Sequence, residues 1–249
     1  MNLELIANSI RSKVIKSILM SGKGHVGGAL SCVEILTYLF FDFLKSQDEF
    51  ILSKGHAAVS LYSTLIIKGL ISEHQLNIMN DHGILGEHPS YLVPGVKMDT
   101  GSLGHGLGIG TGMALSNKID KIDKKDGVVV VLMGDGECYE GSVWESAMFA
   151  AHHGLPIIAI IDRNDMCTLG STEQIVRMEP LVDKWTSFGW HCTKVNGHEY
   201  AELQNAFCVC RGLRCPSMII ANTIKGKGLK NLEGKASCHH MSFNFRDII

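Results

Sequence analysis

Two short apolar runs with a helical segment between them constrain the fold of this chain more than any other feature. Residues 128–133 (VVVVLM) and 157–162 (IIAIID) are rich in β-branched side chains and are bounded by glycine or proline, which is typical of buried strands. Residues 143–153 between them predict a helix that ends near Gly154. A strand, a helix and a second strand form a parallel βαβ unit, so the sequence predicts an α/β fold built on a parallel sheet.

Polar side chains follow both predicted strands. Asp135 comes directly after the first strand, within the segment GDGECYEG, and Asn164 comes just after the second. Because the carboxyl ends of parallel strands meet at one edge of a sheet, the two side chains are expected to lie close together. A carboxylate and an amide oxygen suit a hard cation such as Mg²⁺, and Gly134 and Gly136 allow phosphates to approach the backbone. The residues alone therefore predict a metal–diphosphate site.

This segment resembles the thiamine-diphosphate motif, in which Gly-Asp-Gly is followed after 27 residues by Asn. Its continuation through Glu140 and Gly141 resembles the transketolase form of that motif. The resemblance implies thiamine diphosphate as cofactor and Asp135, Asn164 and the carbonyl of Met166 as ligands of Mg²⁺, with Ca²⁺ or Mn²⁺ as alternatives. It also implies that Glu140 belongs to a carboxylate network between two cofactor sites; the alternative is an exposed carboxylate in the first turn of a helix.

Four histidines lie in segments that resemble the transketolase loops around cofactor and substrate. His25 follows the first helix in a Gly-His-x-Gly segment, and His56 stands in Ser-x-Gly-His. His88 precedes Pro89, and His239 lies in a Ser-Cys-His-His segment where His240 is the alternative. The resemblance implies that these side chains position sugar oxygens and move protons, a task suited to imidazole near neutral pH. It further implies that His56 approaches the cofactor diphosphate.

The segment TGSLGHGL, residues 100–107, resembles the cofactor-lining Gly-Pro-Leu-Gly-Gln-Gly segment of the same family. The resemblance implies that Gly101 and Leu103 line the cofactor. Ser102 and His105 stand where the family has Pro and Gln, and a helix is expected to follow.

Two further local patterns concern the amino-terminal part of the chain. Residues 22–27 contain a literal G-x-G-x-x-G, but a charged amphipathic helix precedes them, which excludes the dinucleotide-binding interpretation. Ser31, followed three residues later by Glu34, predicts a capping box at the start of a helix.

Composition excludes several classes of function. The net charge of -2 does not favour a nucleic acid or an anionic membrane as partner. The first twenty residues carry charges among apolar residues at helical spacing, so they predict an amphipathic helix and not a signal peptide. No uncharged run is long enough to cross a bilayer. The eight cysteines are scattered without a Cys-x-x-Cys pair, which indicates reduced thiols and a cytoplasmic protein.

The resemblance extends over nearly the whole sequence and implies one domain, residues 1–249, with the thiamine-diphosphate-binding fold: a parallel sheet with helices on both faces. This sequence ends where the pyrimidine-binding domain of a full-length transketolase would begin. No residue matches the glutamate that this domain normally supplies to activate the cofactor. The implied partner is therefore a separate carboxy-terminal transketolase chain, and the two chains are expected to form an α2β2 heterotetramer.

The implied function is that of the amino-terminal subunit of a transketolase, a transferase of the pentose phosphate pathway. Such an enzyme transfers a two-carbon ketol unit from a ketose phosphate to an aldose phosphate. The alternatives are another thiamine-diphosphate enzyme subunit, such as a specialised sugar transketolase or a deoxyxylulose-phosphate-synthase-like enzyme, or a non-catalytic cofactor-binding homologue.

Overall fold

A computed structural model of the protein describes residues 2–77, 79, 83–120 and 127–242. The helices are α1 (Leu3–Ser21), α2 (Val26–Ser31), α3 (Val33–Tyr38), α4 (Ala58–Ile67), α5 (Glu73–Asn77), α6 (His105–Asp120), α7 (Gly141–His152), α8 (Thr172–Ile175), α9 (Leu181–Ser187) and α10 (Tyr200–Gly212). The strands are β1 (Lys23–Gly24), β2 (Glu49–Leu52), β3 (Val129–Gly134), β4 (Ile157–Arg163), β5 (His191–Asn196), β6 (Ser217–Asn222) and β7 (Met241–Ser242). Short 3₁₀ turns at Gly55–Ala57, Gly136–Tyr139 and Ala236–Cys238 precede or connect these elements.

In the described part of the chain, one sheet has the strand order β2-β3-β4-β6-β5, and all of its pairs are parallel. Strands β3 and β4 pair in register from Val129 with Ile157 to Gly134 with Asp162. They therefore end at the same edge, as the sequence predicts for the βαβ unit. Strands β1 and β7 form a separate antiparallel pair.

Both faces of the sheet are covered. Alternate residues of a strand point to opposite sides, and Val130 and Leu132 pack in a core with α1, α3, α4 and α10. Val129 and Val131 pack in a second core with α6, α7 and α9. Burial on both sides explains why β3 is an almost unbroken apolar run. The predicted fold class, a parallel sheet with helices on both faces, is confirmed.

The predicted capping box at Ser31 is wrong. Ser31 is the last residue of α2, and its buried hydroxyl donates to a carboxylate oxygen of Asp162 at 2.6 Å. Glu34 accepts a hydrogen bond from Arg11 and lies 2.9 Å from a ring nitrogen of His198. Both side chains bond to distant segments because each is buried and needs a polar partner there, so neither is available to cap the helix.

Among the described residues, no helix combines the length and the apolar character needed to cross a membrane. All eight cysteines are free, and buried Cys210 and exposed Cys208 lie on different faces of α10. The two cores share one sheet. The assignment of residues 1–249 to a single domain stays a prediction, and Met1 and residues 243–249 lie outside the described part.

Candidate active site

Strands β3 and β4 bring Asp135 and Asn164 to the carboxyl edge of the sheet. The side chain of Asp135 is buried and accepts hydrogen bonds from the backbone N–H groups of Gly136 and Asp165, both at 2.8 Å. The side-chain oxygen of Asn164 accepts from the backbone N–H of Met166 at 3.2 Å. These bonds hold the loops after the two strands against each other and fix the oxygen atoms of both side chains.

A buried lysine links this edge to the histidines. The Nζ of Lys225 donates to the carbonyl oxygen of Met166 at 2.9 Å and lies 3.1 Å from Nδ1 of His239. Burial, together with the nearby charge of Lys54, lowers the pKa of Lys225. The sequence motifs described above assign no role to this residue.

A second buried lysine, Lys54, lies near Lys225 and forms an ion pair. The Nζ of Lys54 pairs with the carboxylate of Asp162 and donates to the carbonyl of Gly28 at 2.8 Å. The same carboxylate accepts from the hydroxyls of Ser31 and Thr223. Burial disfavours both charges, but their mutual attraction outweighs it and raises the pKa of Lys54 while it lowers that of Asp162. Nothing in the local sequence predicts this pair beyond an Asp at a strand end.

Glu137 joins the Gly-Asp-Gly segment to two other loops. Its carboxylate accepts hydrogen bonds from the hydroxyl of Ser53, from the N–H of Gly104 at 2.9 Å and from the N–H of Gly134 at 3.1 Å. Burial raises its pKa. Glu140, in contrast, is the exposed N-cap residue of α7. Its role in a carboxylate network stays a prediction.

The four predicted histidines come from separate segments and meet in one cluster. The ring centroid of His25 lies 5.6 Å from that of His56 and 6.1 Å from that of His88. It lies 5.5 Å from that of His239 and 4.5 Å from that of His240. Both alternatives at the carboxyl-terminal end therefore face the cluster.

Burial keeps the inner imidazoles of the cluster neutral. Together with the charge of nearby His240, it lowers the pKa of His25 to about 4. It lowers the pKa of His239 to about 3, assisted by the charge of Lys225, and it lowers that of His56 well below the usual value. At neutral pH each of these rings can accept one hydrogen bond and donate another, which is what binding and deprotonating a hydroxyl requires.

Glycines bring the backbone close to this cluster. A Cβ atom on Gly101, whose φ is 149°, would lie 3.0 Å from Cδ2 of His88. A Cβ atom on Gly28 would lie 2.8 Å from Nε2 of His56. Leu103 is half-buried just before α6 begins. The loop predicted to line the cofactor is thus in contact with the histidine cluster.

The residues present fit thiamine diphosphate with a divalent cation. Asp135, Asn164 and the carbonyl of Met166 supply oxygen ligands of the kind that hard cations require. Lys225 supplies buried positive charge beside them, which suits a diphosphate. Within the described residues, the buried hydroxyl of Thr100 has no hydrogen-bond partner, so a polar atom next to Gly101 is free to bond to a ligand. The individual assignments of the cofactor and metal residues stay predictions.

Comparisons with known proteins agree with this geometry. The family model described as transketolase, thiamine diphosphate binding domain, matches residues 3–248. The chain is 40% identical over 250 residues to an apulose-4-phosphate transketolase subunit from Phocaeicola vulgatus, a match that covers 96% of this chain and 88% of that protein. It is also 40% identical to a 6-deoxy-6-sulfo-D-fructose transketolase subunit from a Clostridium species, with coverages of 94% and 89%.

Full-length relatives match over part of their length. The chain is 37% identical to human transketolase over 244 residues, which are 94% of this chain and 38% of that protein. The structure superposes on transketolase from Campylobacter jejuni with a TM-score of 0.93 and 28% identity, covering 100% of this chain and 42% of that one. The chain therefore belongs to the transketolase family of transferases and corresponds to its amino-terminal, thiamine-diphosphate-binding subunit.

Proposed function

We propose that this chain acts with a separate pyrimidine-binding transketolase chain to transfer a two-carbon ketol unit from a ketose to an aldose. The observation that carries the proposal is the contact of Lys225 with both the Met166 carbonyl and His239. Through this one side chain the predicted cation site adjoins the histidine cluster, which supports a cofactor that binds at the cation site by its diphosphate and reaches the histidines with its reactive end.

In this proposal Asp135, Asn164 and the carbonyl of Met166 bind Mg²⁺, and Ca²⁺ and Mn²⁺ share its preference for oxygen ligands. Gly134 and Gly136 allow the diphosphate to approach the backbone. When bound, thiamine diphosphate supplies the carbon nucleophile for cleavage next to a ketose carbonyl. The chain itself supplies the binding, the orientation and the proton transfers.

The proton transfers fall to the histidines. Lys225 can only donate, so Nδ1 of His239 accepts its hydrogen bond and the proton of the neutral ring is on Nε2. His239 is therefore a donor towards the pocket, suited to a sugar oxygen. His25, with a pKa of about 4, and His56 are neutral and can accept a proton from a hydroxyl when the carbon–carbon bond breaks and return it when the new bond forms. His88, exposed at the rim, completes the set that positions the sugar.

We further propose an α2β2 assembly with the active site between unlike chains. The relatives of similar length are named as subunits, which supports a two-chain enzyme. The unpaired cysteines support a cytoplasmic location, where thiols stay reduced.

A specialised sugar is the second candidate for the substrate. Two relatives that share 40% identity with this chain are named for apulose 4-phosphate and for 6-deoxy-6-sulfo-D-fructose, and the sugars of the pentose phosphate pathway are the general expectation. All of these share a ketose carbonyl next to a hydroxylated carbon, which is the group that the histidine cluster is suited to bind.

The test is a transfer assay with thiamine diphosphate and Mg²⁺ on the chain alone, on its partner alone and on their mixture. The donors are xylulose 5-phosphate, apulose 4-phosphate and 6-deoxy-6-sulfo-D-fructose, with ribose 5-phosphate as acceptor. We expect activity in the mixture only, and a loss on the order of 10²–10⁴ in rate for His25→Asn. The matched control is His74→Asn, because His74 is an exposed histidine on α5. A mixture that binds the cofactor but transfers from none of the donors would refute the proposal.

A further inference from the structure

Beside His25 lie Glu87, to which the proposed function gives no role, and His240, which enters it only as the alternative to His239. Glu87 is half-buried and His240 is exposed. One carboxylate oxygen of Glu87, one ring nitrogen of His240 and one ring nitrogen of His25 all lie within 4.8 Å of one another. A cavity of about 10 Å³, near the lower limit for one water molecule, lies against His25 and Glu87 but is not lined by His240.

The chemistry of these donors differs from that of the predicted Mg²⁺ site. Asp135, Asn164 and the Met166 carbonyl offer oxygen atoms, which suit hard cations. Two imidazoles and one carboxylate are instead a ligand set of zinc enzymes, and imidazole favours Zn²⁺, Ni²⁺ and Cu²⁺ over Mg²⁺. The candidate active site thus contains two ligand sets with different metal preferences.

The geometry allows Zn²⁺ after a small adjustment. Ligands about 2.0–2.1 Å from a tetrahedral ion lie roughly 3.4 Å from one another, so the three atoms must close by at most about 1.4 Å from their present limit of 4.8 Å. His240 is exposed, whereas His25 and Glu87 are both half-buried, so His240 can turn towards the other two at little cost in packing. Water supplies the fourth position.

The charges around His25 act in both directions. Charged His240, His88 and Lys225 oppose a cation at this ring, whereas Glu87 attracts one and has a larger effect than Lys225. His25 and His240 bind a metal as neutral imidazoles, so as ligands they carry no charge that repels the ion. The carboxylate of Glu87 then offsets the repulsion by the buried lysine.

We propose that His25, Glu87 and His240 form a site for a borderline divalent metal ion, Zn²⁺ in particular, that is separate from the Mg²⁺ site. An ion bound there occupies one ring nitrogen of His25 and lies within the histidine cluster that is proposed to bind the sugar, so it competes with the sugar substrate. The binding step does not depend on the proposed function, whereas the competition rests on it.

The binding step is tested on the isolated chain with Co²⁺ as the probe and excess Mg²⁺ present to fill the oxygen site. We expect visible ligand-field bands that Zn²⁺ abolishes by displacement. Loss of a group that only orients a metal ligand costs about 10–100-fold in metal affinity, so Glu87→Gln and His240→Asn, which remove direct ligands, should each weaken Co²⁺ binding by at least about 100-fold. His74→Asn is the matched control and should bind Co²⁺ like the unchanged chain.

A second variant separates the two metal sites. Asp135→Asn should lose Mg²⁺-dependent cofactor binding but keep the Co²⁺ bands. Bands that persist in both Glu87→Gln and His240→Asn, or that disappear in Asp135→Asn, would overturn the proposed site. Unfolding curves for each variant show whether a lost band reflects a lost fold, and the exposure of His240 makes that outcome unexpected for His240→Asn.

The competition is then measured on the complete two-chain enzyme. Zn²⁺ should raise the KM for the ketose and leave kcat unchanged, and Glu87→Gln should relieve this inhibition. Equal inhibition by Zn²⁺ of the unchanged enzyme and of the Glu87→Gln enzyme would overturn the proposed competition. A chain that binds Co²⁺ as expected but forms no active enzyme would leave the metal site standing and refute the proposed function instead.

Discussion

The guanidinium of Arg163 lies 3.3 Å from the carboxylate of Asp135, where β4 ends and the predicted cation-binding loop begins. The same group lies 2.9 Å from Glu173 and 3.1 Å from Asp165, and it donates to the hydroxyl of Thr172. Arg163 is only 2% exposed, whereas its partners on the loop reach solvent. A single buried cation therefore holds the loop after β4 against the predicted metal ligand.

Arg163→Met should weaken Mg²⁺-dependent binding of thiamine diphosphate. Without the guanidinium, Asp135 loses the charge that favours its ionised form and the loop loses its attachment, so we expect a loss of about 10–100-fold in affinity. Arg163→Lys should bind the cofactor more tightly than Arg163→Met but less tightly than the unchanged chain, because an ammonium keeps the charge but not the planar fork. Titration of tryptophan fluorescence with cofactor, with and without Mg²⁺, measures the effect.

The control is Arg211→Met. Arg211 forms a comparable ion pair with Asp48 at 2.6 Å, but Asp48 precedes β2 at the opposite edge of the sheet. This variant should lower the melting temperature and leave cofactor affinity unchanged. If Arg163→Met and Arg211→Met affect cofactor binding equally, the link between Arg163 and Asp135 has no functional meaning.

The strands around Asp135 and Asn164, and the buried lysines Lys54 and Lys225, show what a sequence can and cannot reveal. The apolar runs of β3 and β4 and the spacing from Asp135 to Asn164 are local patterns, and they predicted the sheet and its functional edge. The partners of Lys54 and of Lys225 are not local, because Lys54 pairs with Asp162 across the sheet and Lys225 with the carbonyl of a loop 59 residues away.

The histidine cluster required information beyond local pattern. Its members come from segments near residues 25, 56, 88 and 239, and no periodicity relates them. The resemblance to transketolases predicted that they share a site. The predicted capping box at Ser31 is wrong for the same reason, because a distant residue decides the outcome. The Ser31 hydroxyl donates to the buried carboxylate of Asp162 in β4 instead of capping a helix.

Lys225→Met should change cation and diphosphate binding in opposite directions. The ammonium contacts the Met166 carbonyl, so it repels a divalent ion that binds to this oxygen and attracts a diphosphate next to it. We expect the affinity for Mg²⁺ alone to rise about ten-fold, which corresponds to roughly 1.4 kcal/mol, and the affinity for inorganic diphosphate to fall by at least as much. Isothermal titration with each ligand separately measures both changes. Lys230→Met, at an exposed position in the same loop, is the control, and a loss of both affinities would contradict the charge argument.

Stability should decrease as the pH falls from about 6.5 towards 5. The unfolded imidazole has a pKa of about 6.5, whereas burial lowers that of His25 to about 4 and that of His239 to about 3. Between these values the unfolded chain binds more protons than the folded chain, so the free energy of unfolding falls as the pH is lowered. Above about pH 6.5 both states are neutral at these rings and the effect disappears.

Melting temperatures at pH 7.5, 6.5 and 5.5 test this dependence, because exposed carboxylates remain ionised throughout that range. Buried Glu137, whose pKa is raised, acts in the opposite direction, so the histidine variants are compared with the unchanged chain. The double variant His25→Asn, His239→Asn should lose much of the decrease, and the exposed His74→Asn should keep it. An equal decrease in all three proteins would contradict the assignment to the buried cluster.

Two glycines in α6 should respond oppositely to the same substitution. A Cβ atom on Gly110 would lie 2.6 Å from Cγ2 of Val131 in β3 and 3.3 Å from Cδ1 of Ile157. Gly110→Ala therefore overpacks the interface between α6 and the sheet and should cost about 1–3 kcal/mol in the free energy of unfolding. A Cβ atom on Gly112 would meet no atom within 4 Å, and Gly112→Ala should stabilise the helix by about 0.5–1 kcal/mol. Denaturant unfolding of the two variants under the same conditions measures both changes, and a shift of the same sign in both would show that helix propensity, and not contact with Val131, decides the outcome.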